Sequence, residues 1–190
     1  MIDVAPATPE RFEDVRTVLD GSGEVGCWCQ AWRGTDAEAR VRGETRVDVL
    51  RRQAAEAGPA PGFIAYLDGA PVGWVGVGVR SETPRLAASR TIPAIDEAPV
   101  WAIGCFRVRA GFRRRGIARA LLDGVVAAAR EAGAPGVEAY PIDPGGRRVG
   151  VGAAFVGIAS MFDAAGFRRV LETSAVSGSL PRHLVRLDLR

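Results

Sequence analysis

The stretch that most restricts what this chain can fold into is residues 100–132, VWAIGCFRVRAGFRRRGIARALLDGVVAAAREA. It has three parts in a fixed order. Residues 100–108 are an apolar run mixing Val, Ile, Trp and Phe, which reads as a buried strand. Residues 110–115 form a basic turn. A helix starts near Gly116, and Ile117, Leu121, Leu122, Val125, Val126 and Ala129 make one apolar stripe at helical spacing. A helix start leaves several backbone N–H groups without intrahelical partners. The macrodipole adds roughly half a positive charge at the same place. Arg113, Arg114, Arg115 and Arg119 bring further cations, and Gly116 removes a side chain where another group would have to approach the backbone. Together these features suit a phosphorylated ligand.

The rest of the chain supplies strands and helices around this unit. The 190 residues fit one domain, taken as 1–190, with no internal repeat and no linker. Residues 1–4 read as an edge strand. Thr8-Pro9-Glu10 opens a helix whose stripe is Phe12, Val15, Val18 and Leu19, stopped by Asp20-Gly21-Ser22-Gly23. Residues 36–57 read as a charged surface helix. Asp68-Gly69 joins the strands 63–67 and 72–79 in a hairpin. Residues 80–99 form a long connection with three prolines, of a length that is more often functional than idle. After the central helix come a strand at 136–142, a Gly-rich loop at 143–152, a helix at 153–165, and strands at 167–171 and 184–189.

At the turn the chain resembles a known family. Arg113-Arg114-Arg115-Gly116-Ile117-Ala118 matches the Q/R-x-x-G-x-G/A signature of the GNAT superfamily of acyl-CoA-dependent N-acyltransferases. The element order and the ending Met161-Phe162-Asp163-Ala164-Ala165-Gly166-Phe167 are similar to that family as well. The resemblance implies an α/β fold with a mixed sheet of about six to seven strands and about four helices. It implies acetyl-CoA as co-substrate and no metal. The cofactor would be held by Phe106, Arg107 and Val108 of the strand, through backbone hydrogen bonds to its pantetheine arm. Arg113, Arg114, Arg115, Gly116, Ile117, Ala118 and Arg119 would hold its pyrophosphate. The acceptor would be a primary amine on a small molecule or peptide. The runner-up is a CoA-binding sensor or interaction domain without turnover.

The chain departs from the family where an acid is expected. The slot that often carries Tyr holds Phe162, and an Asn position falls at Phe155. Glu138 and Tyr140 share one face of the strand at 136–142 by the period of two, and with Asp143 at the strand's end they are the substitute candidates for acid and base. Cys27, Trp28, Cys29 and Trp32 lie in one short segment and are candidates for the acceptor-pocket wall; plain packing is the competing reading. A zinc set of Cys27, Cys29, Cys105 and His183 is disfavoured, because Cys-x-Cys is not the usual finger spacing. An odd number of cysteines without a secretion signal points to reduced thiols.

Composition narrows the partners. Net charge is +3, but all 25 basic residues are Arg and none is Lys, which reflects codon composition. Acidic residues are spread among the arginines, so no nucleic-acid stripe is expected. No apolar run is long enough for a bilayer, and the N-terminus has no signal-peptide pattern. A cytoplasmic monomer or homodimer is the expectation.

Overall fold

The computed structural model describes residues 1–20, 26–34 and 36–189. Seven strands form one sheet: β1 (Ile2–Pro6), β2 (Gly62–Leu67), β3 (Ala70–Val79), β4 (Trp101–Val108), β5 (Gly136–Ala139), β6 (Arg168–Ser177) and β7 (Leu180–Asp188). Their order is β1-β2-β3-β4-β5-β7-β6. Every neighbouring pair is antiparallel except β4 and β5, which run parallel. The β2–β3 turn carries Asp68 at φ 51° and Gly69 at φ 81°, both left-handed, as a two-residue hairpin turn with matching twist requires.

The helices among the described residues are α1 (Phe12–Leu19), α2 (Gln30–Arg33), α3 (Asp36–Val41), α4 (Arg46–Ala55), α5 (Pro84–Ala87), α6 (Ile117–Glu131), α7 (Val151–Ala154) and α8 (Ala159–Asp163). These are more than the four expected, for local reasons. The single helix expected over 36–57 breaks near Gly43, at φ 67°, and restarts with Thr45 and Asp48 in a capping box. The helix expected over 153–165 breaks at Gly157, at φ 87°. The Gly21-Ser22-Gly23 stop lies outside the described residues.

Sheet alternation sorts the core. Phe63, Ala65, Val75 and Val77 turn toward α6, where Leu121, Leu122 and Val125 are fully buried. Ile64 and Trp74 turn to the other face and pack with Phe12, Val15 and Leu50. Burying each such side chain contributes about 1.5–3 kcal/mol. The α6 stripe is the one that the sequence spacing gives. Gly73 lets α6 sit close: a Cβ there would lie 2.5 Å from Ile117 Cγ2. The start of α6 is thereby pinned to β3.

The closing strands are longer than expected. β6 and β7 extend through polar residues to a turn at Gly178 and Ser179, both at positive φ. β5 is shorter and ends at Ala139; Ile142 makes only isolated bridges to Ile158 and Arg182.

Candidate active site

β4 and β5 pair only through Trp101–Val137, Ala102–Glu138 and Ile103–Ala139. Beyond Ile103 they part. The outer half of β4 thus keeps its partner β3 on one side and shows a free edge on the other. An open strand edge offers backbone donors and acceptors to whatever lies beside it. In the gap lies the segment around α7: the Phe106 N–H donates to the Phe155 carbonyl at 2.6 Å. On the other side of the gap the Ile142 N–H donates to the Gly157 carbonyl at 3.2 Å.

The turn after β4 is a concave cationic loop. Arg114 (φ 60°) and Gly116 (φ 79°) are both left-handed. Gly116 caps α6, no side chain closes the cap, and no acidic residue stands in the first turn. The first N–H groups of α6 are therefore open to an anion. The arginines divide by their contacts. Arg119 pairs with Asp123 at 2.8 Å. Arg115 lies over the Phe112 ring, as does Arg109. Arg113 donates through Nε to the Val108 carbonyl at 3.3 Å. Among the described residues Arg107, Arg113 and Arg114 have no carboxylate partner. A long groove runs past Phe106, Arg107, Val108, Arg113, Arg114, Gly116, Ile117, Ala118 and Arg119; Arg115 stands outside it.

A second, smaller cavity opens beside β4. Trp32, Arg33, Leu86, Ala102 and Gly104 line it. The groove and the cavity share Cys27, Cys29, Cys105 and Phe155. Of the four wall candidates, Cys27, Cys29 and Trp32 line the cavity, while Trp28 lines the groove.

Cys29 and Cys105 form a disulfide across 76 residues, which corrects the expectation of three reduced thiols. Trp28 and Cys29 both take left-handed backbone, turning Cys29 back over β3. Gly76 provides the room: a Cβ there would lie 3.0 Å from Cys29 Sγ and 3.2 Å from Cys105 Sγ. Trp74 Nε1 donates to Cys29 Sγ at 2.9 Å. Cys27 is free and exposed. Protein purified without reductant and unfolded in guanidinium is expected to titrate one thiol with a chromogenic disulfide reagent; three would mean that the pair is open. His183 stands in register with Glu172 on β6, and its Nδ1 lies 3.5 Å from Glu172 Oε1. Among the described residues no three His, Cys, Asp or Glu side chains gather as a metal set.

Glu138 and Tyr140 are brought together, with the Tyr140 hydroxyl donating to Glu138 Oε2 at 3.2 Å. Both are about 1% exposed, and neither lines the groove or the cavity. Arg80 Nε lies 3.3 Å and Arg186 Nε 3.8 Å from the Glu138 carboxylate. Burial pushes the Glu138 carboxyl upward, and the two guanidinium groups pull it back. Burial and the Glu138 charge also raise Tyr140 well above the ordinary phenol range.

Phe162 is fully buried and meets Phe106 and Phe167 edge to face, with centroids 6.1 and 5.2 Å away. A Phe162→Tyr hydroxyl would enter this aromatic cluster. It is expected to lower stability by about 1–3 kcal/mol in urea denaturation, the cost of an unpaired buried polar group, with no gain in turnover.

Sequence reasoning missed Arg182 and the Phe155 carbonyl, and it reached Arg33 only as the end of the stretch 26–33 expected to shape the pocket. Arg33 adjoins the Trp32 that was singled out. Arg182 sits in a stretch with no strand alternation, and a backbone carbonyl leaves no mark in sequence.

The family model for the acetyltransferase (GNAT) family matches residues 28–148, well over half the chain. The chain belongs to the GNAT acetyltransferase family. No curated protein matches the sequence. Solved structures that resemble it include an N-acetyltransferase from Staphylococcus aureus Mu50, 15% identical, with a TM-score of 0.56 and 100% of this chain and 99% of that one covered. A polyamine N-acetyltransferase from Drosophila melanogaster is 13% identical, with a TM-score of 0.58 and 100% of both chains covered. An agmatine N-acetyltransferase is also 13% identical, at a TM-score of 0.59 with 99% of both covered. At such identities the likeness is one of fold, and for this GNAT chain that fold is the mixed seven-stranded sheet with the parted strands β4 and β5.

Proposed function

We propose that this GNAT protein transfers an acetyl group from acetyl-CoA to a primary amine of a small molecule or peptide, by direct attack within a ternary complex. The observation that carries this reading is the meeting of groove and cavity at Cys105 and Phe155, beside the free edge of β4. The concave turn from Arg113 to Ala118, with the open start of α6, takes the pyrophosphate; Arg119 adds positive charge. The backbone of Phe106, Arg107 and Val108 takes the pantetheine as an added strand. The Phe106 N–H, released from Phe155, faces the thioester carbonyl and supports the charge that develops there. The cavity positions the amine, and positioning supplies most of the acceleration in such a reaction. No metal takes part. The protein works as one domain, in the cytoplasm, as a monomer or homodimer.

Glu138 and Tyr140, on and just beyond β5, remain the candidate pair for the proton steps. A leaving thiolate has a pKa near 8.5, so water can protonate it near neutrality. Because Tyr140 donates to Glu138 and lines neither space, Tyr140→Phe is expected to lower kcat threefold or less. A loss of about a hundredfold, the usual contribution of a general acid, would make Tyr140 the donor.

The overall reading is tested by incubating the protein with acetyl-CoA and a panel of amines, following free CoA and acetylated product by mass spectrometry. CoA release in proportion to acceptor consumed supports it. Binding of acetyl-CoA without release across the panel would favour a non-catalytic CoA-binding domain.

A further inference from the structure

The charges around the acceptor cavity are of one sign. No described residue lining it is acidic. Arg33 lines it and is partly buried. Its guanidinium stands by β3, where a Cβ on Gly78 would lie 3.5 and 3.6 Å from its two terminal nitrogens. Its single hydrogen bond among the described residues goes to the Pro61 carbonyl. Arg182 lies behind the wall: its guanidinium packs 5.5 Å from the centre of the Trp32 ring, which lines the cavity, and 5.8 Å from that of Tyr140. Arg182 Nε donates to the Tyr140 carbonyl at 2.9 Å. Its Nη2 is buried with no partner.

Among the described residues neither arginine has a carboxylate partner. The nearby acids are already taken, Glu138 by Arg80 and Arg186 and Asp96 by Arg186. Burial draws both Arg33 and Arg182 down to about 10, opposed at Arg182 only by the Tyr140 phenol. A buried cation without a counter-ion is costly unless something else supplies the negative charge. Guanidinium is suited to supply a fork of donors to a carboxylate.

We infer that the acceptor carries a carboxylate beside its amine, that is, an amino acid or a compound of that kind with an apolar side chain, and that Arg33 recognises the carboxylate. This deepens the acyltransferase reading and rests on it. The apolar part would lie against Trp32, Leu86 and Phe155. The same cations also favour the neutral form of an incoming amine, which is the form that attacks a thioester. They oppose a second positive charge. Diamines and agmatine, acceptors of structural relatives by their names, are therefore poor acceptors here.

The test compares matched pairs with acetyl-CoA: valine with isobutylamine, methionine with 3-(methylthio)propylamine, and phenylalanine with phenethylamine, together with putrescine and agmatine. Wild-type kcat/KM is expected to be at least tenfold higher for the amino acid in at least one pair, and at least tenfold higher than for putrescine or agmatine. Arg33→Gln should reduce that preference tenfold or more, and Arg33→Lys should keep part of it. Equal or better use of the simple amines by the wild type would overturn the inference while leaving the acyltransferase reading in place, whether or not Arg33→Gln folds. If no compound releases CoA, the acyltransferase reading fails. Calorimetry with the three amino acids in the presence of CoA then decides the inference: binding that weakens in Arg33→Gln supports a carboxylate site, and no binding overturns it.

Discussion

Gly116→Glu is expected to weaken acetyl-CoA binding about a hundredfold or more in isothermal titration. Two effects act together. Gly116 sits at φ 79°, and a residue with a Cβ pays about 1–2 kcal/mol there. The larger effect is electrostatic. Two unit charges about 4 Å apart near a protein surface interact by about 4 kcal/mol before salt screening. The new carboxylate would stand at the mouth of the α6 N-terminus, where the proposed site needs anions to enter. Gly116→Ala separates the two. A Cβ at this position meets only Ile2 Cδ1, at 3.9 Å, so it adds strain without a clash. Its affinity should stay within about tenfold of wild type. Unchanged affinity in a folded Gly116→Glu protein would place the cofactor elsewhere.

Glu138→Ala is expected to cost about 3 kcal/mol or more in urea denaturation, the usual penalty for breaking a buried ion pair by removing one side. The side chain is 1% exposed and stands between Arg80 and Arg186. Its loss leaves Arg80 without its carboxylate at 3.3 Å, held by the Ile92 carbonyl at 2.8 Å, and removes the carboxylate that accepts from the Tyr140 hydroxyl. Arg186 keeps Asp96. Glu138→Gln retains an oxygen for Tyr140 and should cost less. The pair of variants also tests chemistry. A stable Glu138→Gln protein that has lost turnover would mark the carboxylate as a base, whereas activity that falls only with stability would mark it as part of the scaffold.

The strand, turn and helix from β4 to α6 were legible because each is encoded locally. The apolar run, the left-handed Gly116 and the stripe from Ile117 to Ala129 lie within thirty-odd residues and need no distant partner to be recognised. Glu138 and Tyr140 were legible as neighbours for the same reason, since strand period alone puts them on one side. The cavity was not. It joins Trp32 and Arg33 to Leu86, Ala102 and Cys105, which only the tertiary fold brings together. The disulfide depends on Gly76, a strand glycine that marks a close approach or a bulge in sequence without saying which residues approach. The break at Gly157 was hidden by apolar residues at helical spacing on both sides of it. There, close approach to Phe162 and a backbone at φ 87° outweigh the pattern, since a Cβ would lie 2.6 Å from the Phe162 ring.

If acetyl-CoA and the acceptor bind as proposed, the hydrogen bond from Phe106 to Phe155 gives them a thermodynamic linkage. A neutral hydrogen bond of this kind has a net worth of about 1 kcal/mol, so an incoming thioester carbonyl can exchange for the Phe155 carbonyl at little cost. Phe155, however, belongs to both spaces. Displacing its carbonyl from β4 would therefore also move one wall of the cavity. Whatever factor the cofactor contributes to acceptor affinity, the acceptor must return to cofactor affinity. On the proposed reading, residues 151–158 would couple the two binding equilibria through a single exchanged backbone donor.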